Sequence, residues 1–342
     1  MRASIIMAEN FKKVAVLGAT GAVGAEMLKA LDERDFPISE LRLLGSRSGR
    51  SILWRGKEYP VEAASPDKFN GIDIVLSAVE GDISRSLSPL AVKCGAVVID
   101  NSSAFRMEEG VPLVIPEINP EDIASHNGII ANPNCSTIIA LMALAPLHRE
   151  FKLKRLIAST YQAVSGAGIA GLTELKEQAR SFVNGTPMQV STFPYQIAFN
   201  LIPRIDSFNT DNFYTKEELK MQNESRKILH APELMVSCTC VRVPVLRSHS
   251  DSLTIETERP VTPEDARRIL SKAPGVRVID DPLNERYPMP IETSDQDLVF
   301  AGRIRKDLSN NGNGLVLWVS GDQIRKGAAT NAVQIAEELI RI

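Results

Sequence analysis

The chain reads Val14-Ala15-Val16-Leu17-Gly18-Ala19-Thr20-Gly21-Ala22-Val23-Gly24 where a short apolar run opens into a turn with glycine at every third position. The run has the length and composition of a buried strand, and the stretch 25–31 after the turn is helix-forming. In this context glycines bring backbone N–H groups close to a pyrophosphate at a helix N-terminus. We therefore expect a dinucleotide-binding turn, although glycine is also an ordinary turn residue.

The following segments keep this alternation of strand-like and helix-like composition. Further candidates for buried strands are 41–44, 74–76 and 97–99, with helical stretches between them. The rhythm predicts an α/β unit with a Rossmann-like, doubly wound parallel sheet. Towards the C-terminus strands become frequent and helices fewer, which predicts a second, α+β domain with a mixed or antiparallel sheet.

Composition excludes several classes of protein. A chain of 342 residues exceeds the size of a single core, so two domains are expected. The 39 basic and 42 acidic residues nearly balance, which removes the electrostatic argument for nucleic acid or an anionic membrane as partner. No apolar stretch approaches the length of about 18 residues that a membrane span needs. The first ten residues lack the hydrophobic core of a signal peptide and are expected to form a loose extension.

The cysteines favour a cytoplasmic protein without structural metal. The four residues show no C-x-x-C spacing, and so few in a long chain do not make a disulfide framework or a zinc site: Cys94, Cys135, Cys238 and Cys240. A reducing compartment fits best. Cys238 and Cys240 alternate along one strand, which places both thiols on one face, and we interpret them as core residues.

The end of the second strand favours NADP over NAD. A carboxylate usually accepts a hydrogen bond from the ribose 2′-OH in NAD-binding folds, whereas this chain has Arg47 and Ser48 there, and Glu40 lies at the wrong end of the strand. A guanidinium can donate two parallel charge-assisted bonds to a 2′-phosphate. The alternative is that Arg47 is only a solvated loop charge.

Cys135 is the candidate nucleophile. It follows Pro133 and Asn134, which are turn and cap residues, and precedes the apolar run 138–144. The thiol is therefore expected at a helix N-terminus, where first-turn N–H groups and the helix dipole can stabilise a thiolate and a nearby oxyanion. The alternative is a buried structural cysteine.

Six segments in order resemble the aspartate-semialdehyde dehydrogenase family, and the resemblance runs along nearly the whole chain. The segments are Gly18–Gly24, Asp100–Arg106, Asn132–Thr137, Ser159–Gly168, Cys240–Val245 with His249, and Gly327–Asn331. Any one of them could occur by chance, but six in order are highly specific. The resemblance implies a fold like that of glyceraldehyde-3-phosphate dehydrogenase, with NADP-binding residues 10–133 and 322–342 and catalytic and dimerisation residues 134–321.

The resemblance also implies the reaction. Members use NADPH to reduce β-aspartyl phosphate to aspartate β-semialdehyde and phosphate, on the route to lysine, diaminopimelate, threonine and methionine. Cys135 would form a thioester that accepts hydride, and thiolates suit this role because they are strongly nucleophilic. His249 would act as general acid and base, and Gln162 would position the substrate beside the thiol. Without the resemblance, His249 reads as an exposed loop histidine.

The remaining site residues are also carried over by resemblance. Arg242 would hold the substrate α-carboxylate, Arg106 and Lys220 the phosphate, and Glu217 the ammonium, with Asn134 beside the substrate. Glu218 is adjacent to Glu217, so the choice between them stays open, and Glu217–Lys220 alone could be a surface ion pair. The expected cofactor contacts are Gly18, Thr20, Gly21, Ala22, Val23, Gly24, Arg47, Ser48, Ser165, Gly166 and Asn331. The family also implies a homodimer or a homotetramer.

Three alternatives share parts of this pattern. N-acetyl-γ-glutamyl-phosphate reductase has the same fold and thiol chemistry, but its cysteine usually follows glycine and precedes an aromatic residue. A non-catalytic NADP-sensing or scaffold protein could keep the fold, since fold does not fix function. A short-chain reductase would use a Tyr-x-x-x-Lys pair, which we do not find at the expected place, and it would not need Cys135.

Overall fold

The computed structural model describes residues 11–310 and 312–342 and divides the chain into two compact units. The first unit consists of residues up to Pro133 together with Ala328–Ile342, and the second unit is Asn134–Gly327. The resemblance implies a return to the first unit at residue 322, whereas the structure divides the chain at residue 328. The expected N-terminal extension lies outside the described residues.

The first unit is built on a sheet of seven strands. The elements are β1 (Lys12–Leu17), α1 (Ala22–Glu33), β2 (Ile38–Gly45), β3 (Arg50–Trp54), β4 (Lys57–Ala63), β5 (Ile74–Ser77), α2 (Gly81–Lys93), β6 (Val97–Asp100), β7 (Ile129–Ala131) and α8 (Thr330–Leu339). The strand order is β3-β4-β2-β1-β5-β6-β7. Every neighbouring pair is parallel except β3–β4, so the predicted parallel sheet is confirmed and gains an antiparallel edge hairpin.

The central strand β1 shows why the sheet is doubly wound. Val14 and Val16 belong to one core cluster with residues of α1 and α8, while Ala15 and Leu17 belong to another with Ala91 of α2. Successive side chains of a strand point to opposite faces, so an uninterrupted apolar run needs a cover on both sides.

The second unit is built on a mixed sheet of six strands. Its elements are α3 (Cys135–Phe151), β8 (Leu153–Gln162), α4 (Gly168–Val183), α5 (Lys216–Ile228), β9 (Met235–Arg242), β10 (His249–Thr257), α6 (Pro263–Leu270), β11 (Val276–Val278), α7 (Pro290–Thr293), β12 (Val299–Lys306) and β13 (Gly314–Gly321). The strand order is β11-β12-β13-β10-β8-β9. The pairs β8–β9 and β11–β12 are parallel and the others antiparallel, which confirms the predicted α+β unit.

Helix α3 covers one face of this sheet and contacts β8, β10, β12 and β13. Its residues from Ser136 to Ala145 are all buried, as expected for a helix that is apolar on every side. On the opposite face of the sheet, Ile157 and Tyr161 of β8 remain more than a third exposed. Cys238 and Cys240 of β9 are buried free thiols, which confirms their interpretation as core residues.

No helix in the described ranges 11–310 and 312–342 combines the length and the hydrophobicity that crossing a bilayer requires.

Candidate active site

Cys135 is the first residue of α3, which confirms the predicted position of the thiol at a helix N-terminus. Asn134 caps the helix because its Oδ1 accepts hydrogen bonds from the N–H groups of Ser136, at 3.1 Å, and Thr137, at 3.3 Å. Two first-turn N–H groups are therefore engaged by the cap. These two N–H groups donate to the cap and not to a thiolate or an oxyanion, which corrects the sequence expectation for them.

Gly327 gives the thiol-bearing residue room. A methyl group at position 327 would lie 3.0 Å from Cβ of Cys135 and 3.4 Å from its Cα. That separation is tighter than ordinary packing between carbon atoms. The Gly327 N–H donates to the carbonyl oxygen of Asp322 at 3.0 Å, which fixes this close approach.

His249 is fully buried at the start of β10, so its interpretation as an exposed loop histidine is wrong. The backbone N–H of Ala163 donates to Nδ1 at 3.1 Å, and among the described residues Nε2 has no hydrogen-bond partner. A neutral imidazole that accepts at Nδ1 carries its proton on Nε2. Burial, assisted by the positive charge of Arg242, holds the pKa of His249 well below its ordinary value. The site therefore contains a neutral N–H donor.

The carboxylate of Glu217, in α5, accepts hydrogen bonds from three side chains of the site. Oε1 accepts from Asn134 Nδ2 at 2.9 Å and from Gln162 Nε2 at 3.3 Å, and Oε2 accepts from Lys220 Nζ at 3.0 Å. Burial alone would raise the pKa of Glu217, but Lys220 and these hydrogen bonds outweigh it and lower the pKa. Burial likewise opposes the charge of Lys220, yet Glu217 and Asp206 raise its pKa. Both groups are therefore charged at neutral pH.

Glu218 has a different role from its neighbour. Its Oε1 accepts from the N–H of Cys240 at 3.0 Å, and its Oε2 accepts from the N–H of Thr215 at 2.7 Å, which closes a capping box at the start of α5. The contact with Asn134 and Gln162 is made by Glu217, so the geometry favours Glu217 as the substrate-facing acid.

Arg242, at the end of β9, is buried beside the same cluster. Its Nη1 donates to the carbonyl oxygen of Ala163 at 2.7 Å. Burial lowers the pKa of Arg242, and attraction to Glu217 and to a Cys135 thiolate partly offsets this. A methyl group on Gly166 would lie 2.6 Å from Nη1 and 3.3 Å from Nε2 of His249. The Ser165-Gly166 loop therefore forms a close wall over Arg242 and His249.

Sequence reasoning missed two buried residues that hold this arrangement together. Gln323 accepts at Oε1 from the N–H of Ser248 at 2.9 Å and donates from Nε2 to Ser165 Oγ. Gln323 thus connects the loop of Ser165 to Ser248, the residue before His249. Ser248 has a positive φ of 72°, which is an uncommon backbone conformation for a residue other than glycine. Glu224 accepts from the N–H of Asn134. Neither Gln323 nor Glu224 belongs to a sequence motif. The only sequence signal is that Glu224 follows Glu217 by seven positions, which places the two residues on the same face of a helix.

The glycine turn of the first unit has the shape that a dinucleotide needs. Gly18 has a φ of 86°, and a methyl group on it would lie 2.6 Å from the Ala78 carbonyl oxygen. A methyl group on Gly24 would lie 2.2 Å from the Gly18 carbonyl oxygen. Gly21 is the N-cap of α1, and the first turn of α1 contains no acidic residue. The turn can therefore accept a pyrophosphate at a helix N-terminus.

The other predicted cofactor and phosphate contacts lie in contrasting environments. Arg47 and Ser48 are exposed after β2, and Thr20 is exposed in the glycine turn. Arg106 is buried, with Nε donating to the Asn132 carbonyl oxygen and Nη2 to the Asn101 carbonyl oxygen, each at 2.9 Å. Asn331 is fully buried, and its Nδ2 donates to the Val114 carbonyl oxygen and to Asn132 Oδ1. The ligand roles of Arg106 and Asn331 stay predictions.

Both units match family models over most of their length. Residues 13–126 match the model described as "Semialdehyde dehydrogenase, NAD binding domain", and residues 144–326 match "Semialdehyde dehydrogenase, dimerisation domain". An aspartate-semialdehyde dehydrogenase from Aquifex aeolicus is 52% identical over 335 residues, which cover 96% of this chain and 98% of the relative.

Solved structures give the same result. The crystal structure of aspartate semialdehyde dehydrogenase II complexed with ASA, from Vibrio cholerae, is 44% identical with a TM-score of 0.94, covering 97% of this chain and 98% of that chain. An aspartate semialdehyde dehydrogenase with NADP, from Candida albicans, is 25% identical with a TM-score of 0.73, covering 96% of this chain and 98% of that chain.

The environment of His249 predicts its protonation state. We expect long-range 15N–1H NMR spectra to show the Nε2–H tautomer and no titration near pH 6.5, because burial and Arg242 both disfavour the imidazolium. Since the pKa in the folded state lies below the unfolded value of about 6.5, the contribution of this group to stability falls as the pH drops below about 6.5. A His249→Gln variant assigns the signal among the four histidines. A protonated Nδ1 or a pKa near 6.5 would contradict this interpretation.

Proposed function

Because the chain belongs to the aspartate-semialdehyde dehydrogenase family, we propose that it catalyses the NADPH-dependent reductive dephosphorylation of L-aspartyl 4-phosphate to L-aspartate 4-semialdehyde. Membership makes the chain an oxidoreductase of amino-acid biosynthesis with a domain of the NAD-binding type. The observation that carries the finer proposal is the convergence, in the second unit, of a helix-start thiol, a neutral imidazole N–H and a buried guanidinium.

Cys135 is the nucleophile in this proposal. Its thiolate attacks the acyl carbon of the aspartyl phosphate, the C–O bond to the phosphate breaks, and a thioester forms on Sγ. Arg242 favours the thiolate, since the two charges attract each other. When bound, NADPH supplies the hydride that reduces this thioester.

His249 stabilises the acyl oxygen. Its Nε2–H is aimed at no other group in the described chain, so it can donate to the oxygen that gains negative charge in each tetrahedral intermediate. After reduction, the thiohemiacetal oxyanion collapses to the aldehyde and releases the Cys135 thiolate, so this half of the reaction consumes no proton. The one proton that the biosynthetic reaction consumes is taken up by the departing phosphate. A neutral donor is therefore sufficient for the reduction of the thioester.

The charged groups around the thiol suit the parts of the substrate. Arg242 would hold the α-carboxylate through its planar fork, and Glu217 would accept a hydrogen bond from the ammonium. Lys220 would hold the phosphate together with Arg106, and its positive charge would stabilise the leaving group. Gln162 donates both amide hydrogens, to Thr160 and Glu217, so its own carbonyl oxygen remains to meet the substrate beside the thiol.

NADP is the proposed cofactor. Thr20, Ala22 and Val23 line the glycine turn, and no carboxylate follows β2 where an NAD-selective fold would place one. Arg47 and Ser48 would bind the 2′-phosphate, with Ser165, Gly166 and Asn331 as further contacts. The relative from Candida albicans, solved with NADP, supports this assignment.

We further propose a homodimer in the cytoplasm. The second unit matches a dimerisation-domain family, and one face of its sheet leaves Ile157 and Tyr161 partly exposed. Pairs of such dimers would give the tetramer expected for some members. None of the four cysteines, all of them in the described ranges, forms a disulfide, which suits a reducing compartment. The product would feed lysine, diaminopimelate, threonine and methionine synthesis.

Replacing Cys135 by serine tests the proposed reaction. We expect Cys135→Ser to abolish phosphate-dependent reduction of NADP by aspartate semialdehyde, because a hydroxyl is a far weaker nucleophile than a thiolate. Nucleotide affinity, measured by calorimetry, should not change. The control is Cys94→Ser, a half-buried cysteine at the end of α2, which should keep full turnover. Retained turnover in the Cys135 variant would refute the role of this thiol as the nucleophile.

Replacing Arg47 by alanine tests the cofactor. Loss of a hydrogen-bonded charge pair of about 1.5–3 kcal/mol should weaken NADP binding by roughly 10- to 100-fold and leave NAD binding unchanged. Lys29→Ala, on the exposed side of α1, removes the same charge from the first unit without this effect. Equal losses for NADP and NAD would exclude the proposed contact with the 2′-phosphate.

A further inference from the structure

One face of helix α5 carries three charged residues, two of which contact Asn134 at the start of α3. Glu217, Lys220 and Glu224 follow one another at positions i, i+3 and i+7, which places them on one face of the helix. The proposed function uses Glu217 and Lys220, which bind the substrate ammonium and phosphate. It assigns nothing to Glu224, although Glu224 is only 1% exposed.

Glu224 holds the main chain at the residue before the nucleophile. Its Oε2 accepts from the N–H of Asn134 at 2.7 Å, the length of a charge-assisted hydrogen bond. Glu217 holds the side chain of the same residue, since its Oε1 accepts from Asn134 Nδ2 at 2.9 Å. Two carboxylates, two turns apart on α5, thus fix the backbone and the amide of Asn134 at once.

The orientation of Asn134 decides where Cys135 lies. Asn134 is the N-cap of α3, with extended backbone angles (φ −60°, ψ 141°), and its Oδ1 accepts from the second and third residues of the helix. Rotation of its peptide group would therefore move Cys135, the first helical residue, and loosen the cap together.

A buried carboxylate at this place has an electrostatic disadvantage. Its negative charge favours the helix N-terminus but opposes a thiolate one residue further along the chain. A neutral acceptor could satisfy the Asn134 N–H without this opposition. The geometry points to a positional requirement rather than an electrostatic gain.

We propose that Glu224 is a positioning residue. It fixes the start of α3, so that helix α5, which bears the substrate-binding groups Glu217 and Lys220, also determines the position of the Cys135 thiol. This inference rests on the proposed function for its kinetic consequence. The reactivity of the Cys135 thiol follows from the geometry alone and can be measured without turnover.

The test compares two substitutions at Glu224 with matched substitutions at Glu218. Glu224→Ala removes the acceptor, and a misplaced nucleophile costs on the order of 10²-fold in kcat, with a small change in KM for aspartate semialdehyde. Glu224→Gln keeps an acceptor oxygen, so kcat should stay within about 10-fold of the wild type. Glu218→Ala and Glu218→Gln are the controls. Glu218 lies on the same helix and also accepts from a backbone N–H, but that N–H belongs to Cys240 of β9.

The rate of Cys135 alkylation by iodoacetamide, followed against pH, separates positioning from general damage. Glu224→Gln should shift this profile to lower pH, since a negative charge near the thiolate is lost and the cap is kept. Glu224→Ala loses the same charge and should show the same shift, but its maximal alkylation rate at high pH should be lower because the thiol is misplaced. Arg242, which also acts on the thiolate, is unchanged in every variant.

Three results would overturn the inference. The first is an alkylation rate and a kcat within about twofold of wild type in both Glu224 variants. A change of that size is no larger than the effect of an ordinary surface substitution. The second is an equal loss in Glu218→Ala, which would indicate general loosening of α5. The third is a loss of kcat in Glu224→Gln as large as that in Glu224→Ala, because the amide still offers an acceptor oxygen to the Asn134 N–H. A wild-type protein that shows no phosphate-dependent reduction of NADP by aspartate semialdehyde would instead refute the proposed function and leave the alkylation result standing.

Discussion

The capping of helix α3 by Asn134 is the interaction on which the second unit depends. One side chain accepts from two first-turn N–H groups and donates to Glu217, while its own backbone N–H donates to Glu224. A cap of this kind contributes about 1 kcal/mol to a helix, which is modest. Its importance here is geometric, because the residue that it places next is Cys135.

The charges around this cap are balanced against burial. Glu217 and Lys220 keep their charges because they contact each other, and Asp206 adds a second partner for Lys220. Arg242 donates instead to a backbone carbonyl oxygen, that of Ala163. The positive charge of Arg242 favours the thiolate form of Cys135 and disfavours protonation of the His249 ring. The same guanidinium thus prepares a nucleophile and a neutral hydrogen-bond donor.

The parts that local sequence specifies were predictable. The glycine turn after β1 and the start of α3 at Cys135 both follow from short-range rules about strands, turns and caps. The β3–β4 hairpin was not predicted: its strands are largely polar, and its turn uses Arg55 and Gly56 with positive φ angles, a signal weaker than Asn-Gly.

Residues buried by distant parts of the chain were not predictable from local pattern. The stretch from Arg247 to Ser250 reads as a polar loop, yet pairing of β10 with both β8 and β13 buries His249 completely. Helix α5 is so polar that its charges read as a solvated face, whereas Glu217, Glu218 and Glu224 are all buried against other elements. In both places long-range pairing overrides the local signal.

The central claim is that Cys135 carries the acyl group during turnover, and intact-protein mass spectrometry tests it most directly. The protein is mixed with NADP and aspartate semialdehyde in the absence of phosphate, so that a thioester has no acceptor other than water, and is quenched in acid. We expect a mass increase of one aspartyl group per chain, located on the peptide that contains Cys135. An unchanged mass after a burst of NADPH, or an adduct on another residue, would contradict the claim.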